Sequence, residues 1–145
     1  MYKHLLLPTD GSDLSRHAAE DGVRFARAIG AQVTALHATP VFRPTELHAH
    51  AVMREAREDE ERSRRLAQKA LEPVAQAARA AGVTCTLVHR VTDRPWEAIL
   101  QVAAEHGCDV IFMASHGWSG IRALILGSET SRVLTHAKIP VLVRR

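Results

Sequence analysis

The chain is predicted to be an α/β protein: a single doubly wound domain over residues 1–145, with a five-stranded parallel sheet in the order 3-2-1-4-5 and helices on both faces. Three observations predict it. Short apolar runs, too short for helices, alternate with longer stretches of helical periodicity in a β-α-β-α-β-α-β-α-β pattern. The aromatic content is only 4% while Ala and Val abound, which suits helices packed closely on a parallel sheet. Finally, 145 residues can bury roughly two thirds of their unfolded surface around one core, without metal or disulfide staples.

Residues Lys3 to Pro8 carry Leu5-Leu6-Leu7 and are stopped by Pro8, the mark of a central strand buried on both faces. Thr9-Asp10-Gly11-Ser12 then turns the chain, and Ser12 is the expected cap of a helix. In that helix Leu14, Ala18, Gly22, Phe25, Ala26 and Ile29 recur at helical spacing, and Gly30 ends it. Gln32 to His37 returns as a second strand, completing a right-handed parallel crossover. From Thr39 to about His50 the prolines Pro40 and Pro44 and the lack of periodicity predict a loop beyond the second strand's carboxyl end, a place where loops often cover ligands.

A long polar helix follows, in which Glu58, Glu60 and Glu61 precede Arg62, Arg64 and Arg65 by four residues, a favourable order on a solvated face. Its apolar stripe is Ala67, Ala70, Leu71, Val74, Ala75 and Ala78. Pro73 removes an amide donor and is expected to kink or divide this helix one turn earlier, and Gly82 ends it. Thr84 to Arg90 is the third strand. Thr92-Asp93-Arg94-Pro95 leads into a helix with Pro95 near its first position, Ile99, Val102 and Ala103 inward, and Gly107 at its close. Val110 to Ala114 is the fourth strand, a helix begins near Ser128, and Ile139 to Val143 forms the fifth strand at the sheet edge.

Composition narrows the function classes. Net charge is +3 and the pI is near 9.3, but the basic residues are scattered and matched locally by acids, so no nucleic-acid face is expected. No apolar segment approaches the length of about eighteen residues that a membrane span requires. Cys85 and Cys108 lack C-x-x-C spacing and nothing at the start resembles a leader, so a cytoplasmic protein with reduced thiols is expected. His48 and His50 form an H-x-H pair with no third or fourth ligand near them in sequence, and no metal site is expected. Gly117-Trp118-Ser119-Gly120 with Ile121 mimics the GXXG loop of KH RNA-binding domains, but that loop joins two helices and here a strand precedes it.

The chemistry points to Met113-Ala114-Ser115-His116-Gly117 and to Gly127-Ser128, after which a new helix starts with Ser128 as its expected cap. A strand end, a glycine turn and a helix N-terminus together make an anion site, which phosphate commonly fills. The stretch is neither a Walker loop nor a dinucleotide fingerprint, and alone it reads more readily as a plain turn. The predicted sheet adds the deciding point. Its order reverses between the first and fourth strands, which sets Pro8-Thr9-Asp10-Gly11 opposite Met113 to Gly117. Asp10 also has a second reading, as a turn residue capping the first helix, and His116 as an ordinary loop residue.

These residues resemble the universal stress protein family. The match runs from Leu-Leu-Leu-Pro-Thr-Asp-Gly-Ser through Trp96-Glu97-Ala98-Ile99-Leu100 and Met113 to Gly117, then Gly127-Ser128, to Ile139-Pro140-Val141-Leu142-Val143, essentially the whole chain. Nucleotide-binding members carry G-x-x-G, nine residues, then G-[ST]; here the frame is Ala114-Ser115-His116-Gly117, nine residues, then Gly127-Ser128. Three positions depart: Ala114 replaces a glycine, Glu129 an apolar residue, and Trp118 a common basic one. The methyl of Ala114 fits if the residue keeps strand angles. Glu129 either opposes a triphosphate, at about 1 kcal/mol per close charge pair in water, or complements the helix dipole.

The resemblance implies ATP as ligand, possibly with Mg²⁺ bridging its phosphates rather than held in a protein cage. It places Pro8, Thr9 and Asp10 on adenine and ribose, and backbone around Ala38 on the base. It places Gly117, Gly127, Ser128 and Thr130 around the phosphates, with His116 nearby, and Met113, Ala114 and Glu129 complete the set. It also implies a homodimer through antiparallel contact of the last strands, and regulatory protein partners that the sequence does not identify. No nucleophile with a paired base and no Lys or Arg fixed at a γ-phosphate is visible, so a regulatory switch with at most slow hydrolysis is expected rather than an efficient enzyme. The alternative is a dimeric interaction module without nucleotide, for which Ala114 and Glu129 are the reasons.

Overall fold

Leu5, Leu6 and Leu7 are wholly buried, and the sheet extends outward on both sides of the strand that carries them. The computed structural model describes residues 1–117 and 126–145; the expectations for Trp118, Gly120 and the KH-like loop fall outside the described residues. Five parallel strands, β1 (His4–Pro8), β2 (Gln32–Thr39), β3 (Cys85–Val91), β4 (Val110–Ala114) and β5 (Val141–Arg144), lie in the predicted order β3-β2-β1-β4-β5. Among the described residues four helices connect them: α1 (Asp13–Ile29), α2 (Ala49–Ala81), α3 (Pro95–Glu105) and α4 (Ser128–His136).

The register explains the burial of β1. Leu5 lies between Val33 and Val110, and Leu6 between Thr34 and Ile111. Successive side chains leave a strand on opposite faces. Leu5 and Leu7 therefore join Val23 and Ala26 of α1 and Leu71 and Val74 of α2, while Leu6 joins Ile99 and Val102 of α3 and Val133 of α4. Each face of the sheet has its own apolar layer, and only a strand buried on both faces carries three consecutive leucines.

Helix α1 follows its sequence signals: Ser12 accepts from the Ser15 amide at 3.3 Å, and Gly30 closes the helix in the left-handed region at φ 69°. Helix α2 corrects one expectation. It runs unbroken for 33 residues with Pro73 inside it. The lost amide bond is outweighed because Ala70, Leu71, Val74 and Ala75 are buried on both sides of the proline, so packing holds the helical path. Its first fourteen residues, up to Arg62, include none that is buried, as a solvated charge run should be. Glu60–Arg64 and Glu61–Arg65 pair at 3.5 and 3.7 Å, whereas Arg62 turns to Asp59 rather than Glu58. At the other edge, β5 begins at Val141 instead of Ile139, with Pro140 still accepting from the Ile111 amide at 2.9 Å.

A histidine pair lies across β2 and β3, at the opposite edge of the sheet. His37 and His89 are register partners with ring centroids 6.4 Å apart, and His89 meets the Thr39 hydroxyl at 2.7 Å. Burial, and secondarily the nearby His37, lowers the His89 pKa from its ordinary 6.5; burial lowers that of His4 as well. The unfolded chain then binds a proton that the folded chain refuses, so stability is complete above 6.5 and is lost as pH falls through the folded values. Thermal melts from about pH 7.5 to 5 should show Tm falling, with His89→Gln flattening part of the decline. Melting temperatures independent of pH over that range would contradict this. Cys108 is buried and its thiol is pushed up to about 11, chiefly by burial, which keeps it protonated at neutral pH.

Candidate functional site

The site is built from two chain reversals at the carboxyl ends of adjacent strands. The first follows β1. Its backbone stays tied to β2 through the Thr9 amide, which donates to the Leu36 carbonyl at 2.9 Å, while His37 Nδ1 meets the Thr9 carbonyl at 2.8 Å. Gly11 then turns at φ 83°, a conformation that favours glycine, and a Cβ placed there would touch the Ala70 Cβ of α2 at 3.5 Å. Asp10 Oδ1 accepts from the Ser12 amide at 2.9 Å and from the Ser15 hydroxyl at 2.7 Å. Ser15 also meets the Thr9 hydroxyl at 3.0 Å. Asp10 is thus a turn residue bracing the start of α1, although Ser12 is the cap.

The second reversal follows β4. Ala114 is a regular strand residue paired in register with Arg144, so its methyl group occupies extended backbone that alanine adopts freely. Ser115 donates its amide to Arg144 at 2.8 Å and accepts from the Gly127 amide at 2.8 Å. The His116 ring meets the Ser115 hydroxyl at 3.1 Å. Gly127 packs so closely that a Cβ there would lie 3.0 Å from the His116 Cα. The buried Thr130 hydroxyl donates to the Ala114 carbonyl at 3.0 Å, fastening the first turn of α4 to the strand end.

The two reversals touch. A Cβ on Gly117 would overlap the Asp10 carboxylate, with the carboxyl carbon at 3.0 Å. Pro8, Thr9, Asp10, Met113, Ala114, His116, Gly117, Gly127, Ser128 and Thr130 therefore gather at one end of the sheet's centre, and Ala38 stands near the carboxyl end of β2. One detail differs from the sequence reading and one adds to it. The cap of α4 is Gly127, whose carbonyl receives the Ser131 amide at 2.9 Å; Ser128 is the first helical residue and is exposed. Glu129 stands in the first turn of α4, where it complements the helix dipole, and its carboxylate also accepts from the Trp96 amide at 2.8 Å, in the first turn of α3, and meets Arg132 at 3.3 Å.

Sequence reasoning missed Ser15, Ser115 and His37 as supports of these turns. Ser15 carried one faint signal, its position three residues after a capping serine; the other two contacts span distant parts of the chain. Chemically, the arrangement offers the amides of the first turn of α4, which have no acceptors within the helix, beside a carboxylate and hydroxyls one strand away. That combination suits a ligand with an anionic end and a hydroxylated or amino-bearing end. No helix among the described residues is long and apolar enough to cross a membrane.

Comparison with known proteins agrees with this architecture. A universal stress protein of Thermus aquaticus is 34% identical over 145 residues, spanning all of both chains. Among solved structures, the Methanocaldococcus jannaschii protein MJ0577 superposes with a TM-score of 0.82 at 28% identity, covering 100% of this chain and 98% of that one. A universal stress protein in complex with cAMP superposes with a TM-score of 0.69 at 25% identity, covering 99% and 97%. The family model for universal stress proteins matches residues 1–145, and the chain belongs to the universal stress protein family.

Proposed function

We propose that this protein binds an adenine nucleotide where the ends of β1 and β4 meet, and acts as a homodimeric regulator in a stress response rather than as an efficient enzyme. The observation that carries the reading is the contact of the Asp10 carboxylate with Gly117, which joins the two reversals into one site. The base and ribose lie against Pro8, Thr9, Asp10 and Ala38, beside Met113 and Ala114. The phosphates lie at Gly117, Gly127, Ser128 and Thr130 with His116 alongside, and ATP is accepted with Mg²⁺ on its phosphates. A relative of the same fold solved with cAMP supports an adenine nucleotide as the ligand. All 145 residues act as one domain, in the cytoplasm.

Titration calorimetry with AMP and with ATP, each with and without Mg²⁺, tests this. Saturable heat is expected, and Asp10→Ala should weaken it about tenfold by removing one charged acceptor. No heat at millimolar nucleotide would remove the proposal. The dimer forms by antiparallel contact of β5, an edge strand with unpaired backbone groups and a half-exposed Leu142. Sedimentation at micromolar concentration should give twice the chain mass, and a monomeric mass would eliminate that arrangement. A time course of ADP formation measures any slow hydrolysis.

A further inference from the structure

We propose that Glu129 selects among nucleotides, favouring a monophosphate over a triphosphate; the inference rests on the nucleotide reading above. Helix α3 has no side-chain cap of its own, since Arg94 stands at its N-cap and Pro95 opens it. The Glu129 carboxylate fills that position from α4, accepting from the Trp96 amide at 2.8 Å. The Trp96 ring packs on His136 of α4 with centroids 4.7 Å apart, so the two helices are joined at both of these places. The anion position of α3 is thus taken by the chain's own carboxylate. The first turn of α4 is left for the ligand, held to the end of β4 by the Gly127–Ser115 and Thr130–Ala114 bonds.

Glu129 is the second residue of α4, so a phosphate at that first turn lies within one helical turn of its backbone. One phosphate there gains the amides and the positive end of the helix dipole. Every further phosphate adds negative charge within the screening length of about 10 Å of a carboxylate whose ion-pair partner among the described residues, Arg132, is half-exposed. A charge pair in water shifts an equilibrium about fivefold at about 4 Å and about twofold at about 10 Å, so two added charges disfavour the triphosphate by about fourfold or more without divalent cations.

The test is calorimetry of AMP and ATP binding to the wild type and to Glu129→Gln, without Mg²⁺, across a salt series. Gln keeps an oxygen for the Trp96 amide and removes only the charge. The wild type should bind AMP about fourfold more tightly than ATP, or more. Glu129→Gln should strengthen ATP more than AMP, bringing the two to within about twofold of each other, and salt should narrow the wild-type gap. Equal wild-type affinities would overturn the proposal, as would a preference that survives both the substitution and high salt. If the variant fails to fold, the salt series on the wild type decides alone. Heat from AMP separates failure of this inference from failure of the nucleotide reading, since silence with both ligands would end both.

Discussion

Gly127→Glu is expected to abolish measurable nucleotide binding while the sheet remains folded. Gly127 has φ −59° and ψ 155°, a conformation open to any residue, so backbone strain does not reserve the position for glycine. Space does. A Cβ there meets the His116 Cα at 3.0 Å, the His116 Cβ at 3.1 Å and the Ser115 carbonyl at 3.3 Å, two of which are backbone atoms that cannot swing aside. The first turn of α4 must then move away from β4, stretching the Gly127–Ser115 bond and turning the amides from the ligand. The new carboxylate adds a negative charge where phosphate is proposed to sit. Overpacking of this kind costs about 1–3 kcal/mol of stability, so the melting temperature should fall only modestly. Affinity should fall at least about a hundredfold, since both the donors and the sign of the charge change. Calorimetry beside circular dichroism reads both effects, and a folded variant with wild-type affinity would show that the phosphates are not held there.

Leu6→Ala should be among the most destabilising single truncations in the chain, about 3–5 kcal/mol. Leu6 is wholly buried in the central strand and packs with Leu36, Ile99, Ile111 and Val133, drawn from every layer on its side of the sheet. The lost transfer energy adds to an unfilled cavity, because neighbours held by strands and helices cannot all collapse inward. At this chain length the change corresponds to a fall in Tm of about 10 °C. Leu142→Ala, on the edge strand and 37% exposed, provides the contrast and should shift the isolated chain's Tm by no more than a degree or two. Similar losses in the two variants would mean that the centre of the sheet does not dominate the core.

Much of this molecule is legible in the amino-acid sequence. The caps at Ser12 and Gly30 and the start of α3 at Pro95 rest on signals confined to a few neighbouring residues, the strand order rests on the alternation along the whole chain, and the structure follows them all. The meeting of the two turns was legible as well, since a reversal of strand order leaves few places for a crevice. Pro73 shows the limit of a local rule: its cost is set by one missing bond, and its outcome by burial of the residues around it.

The sequence by itself determined which segments alternate, where most of them start and stop, and that β1 must be central, because short-range periodicity and three consecutive leucines encode these directly. Only the tertiary structure decided that Gly127 rather than Ser128 caps α4, that Asp10 takes both of its candidate places at once, bracing α1 while lying against Gly117, and that Glu129 serves α3. Each depends on where a short side chain finds its partner across elements far apart in the chain. No periodicity records that distance, because it is set by how closely the helices settle on the sheet.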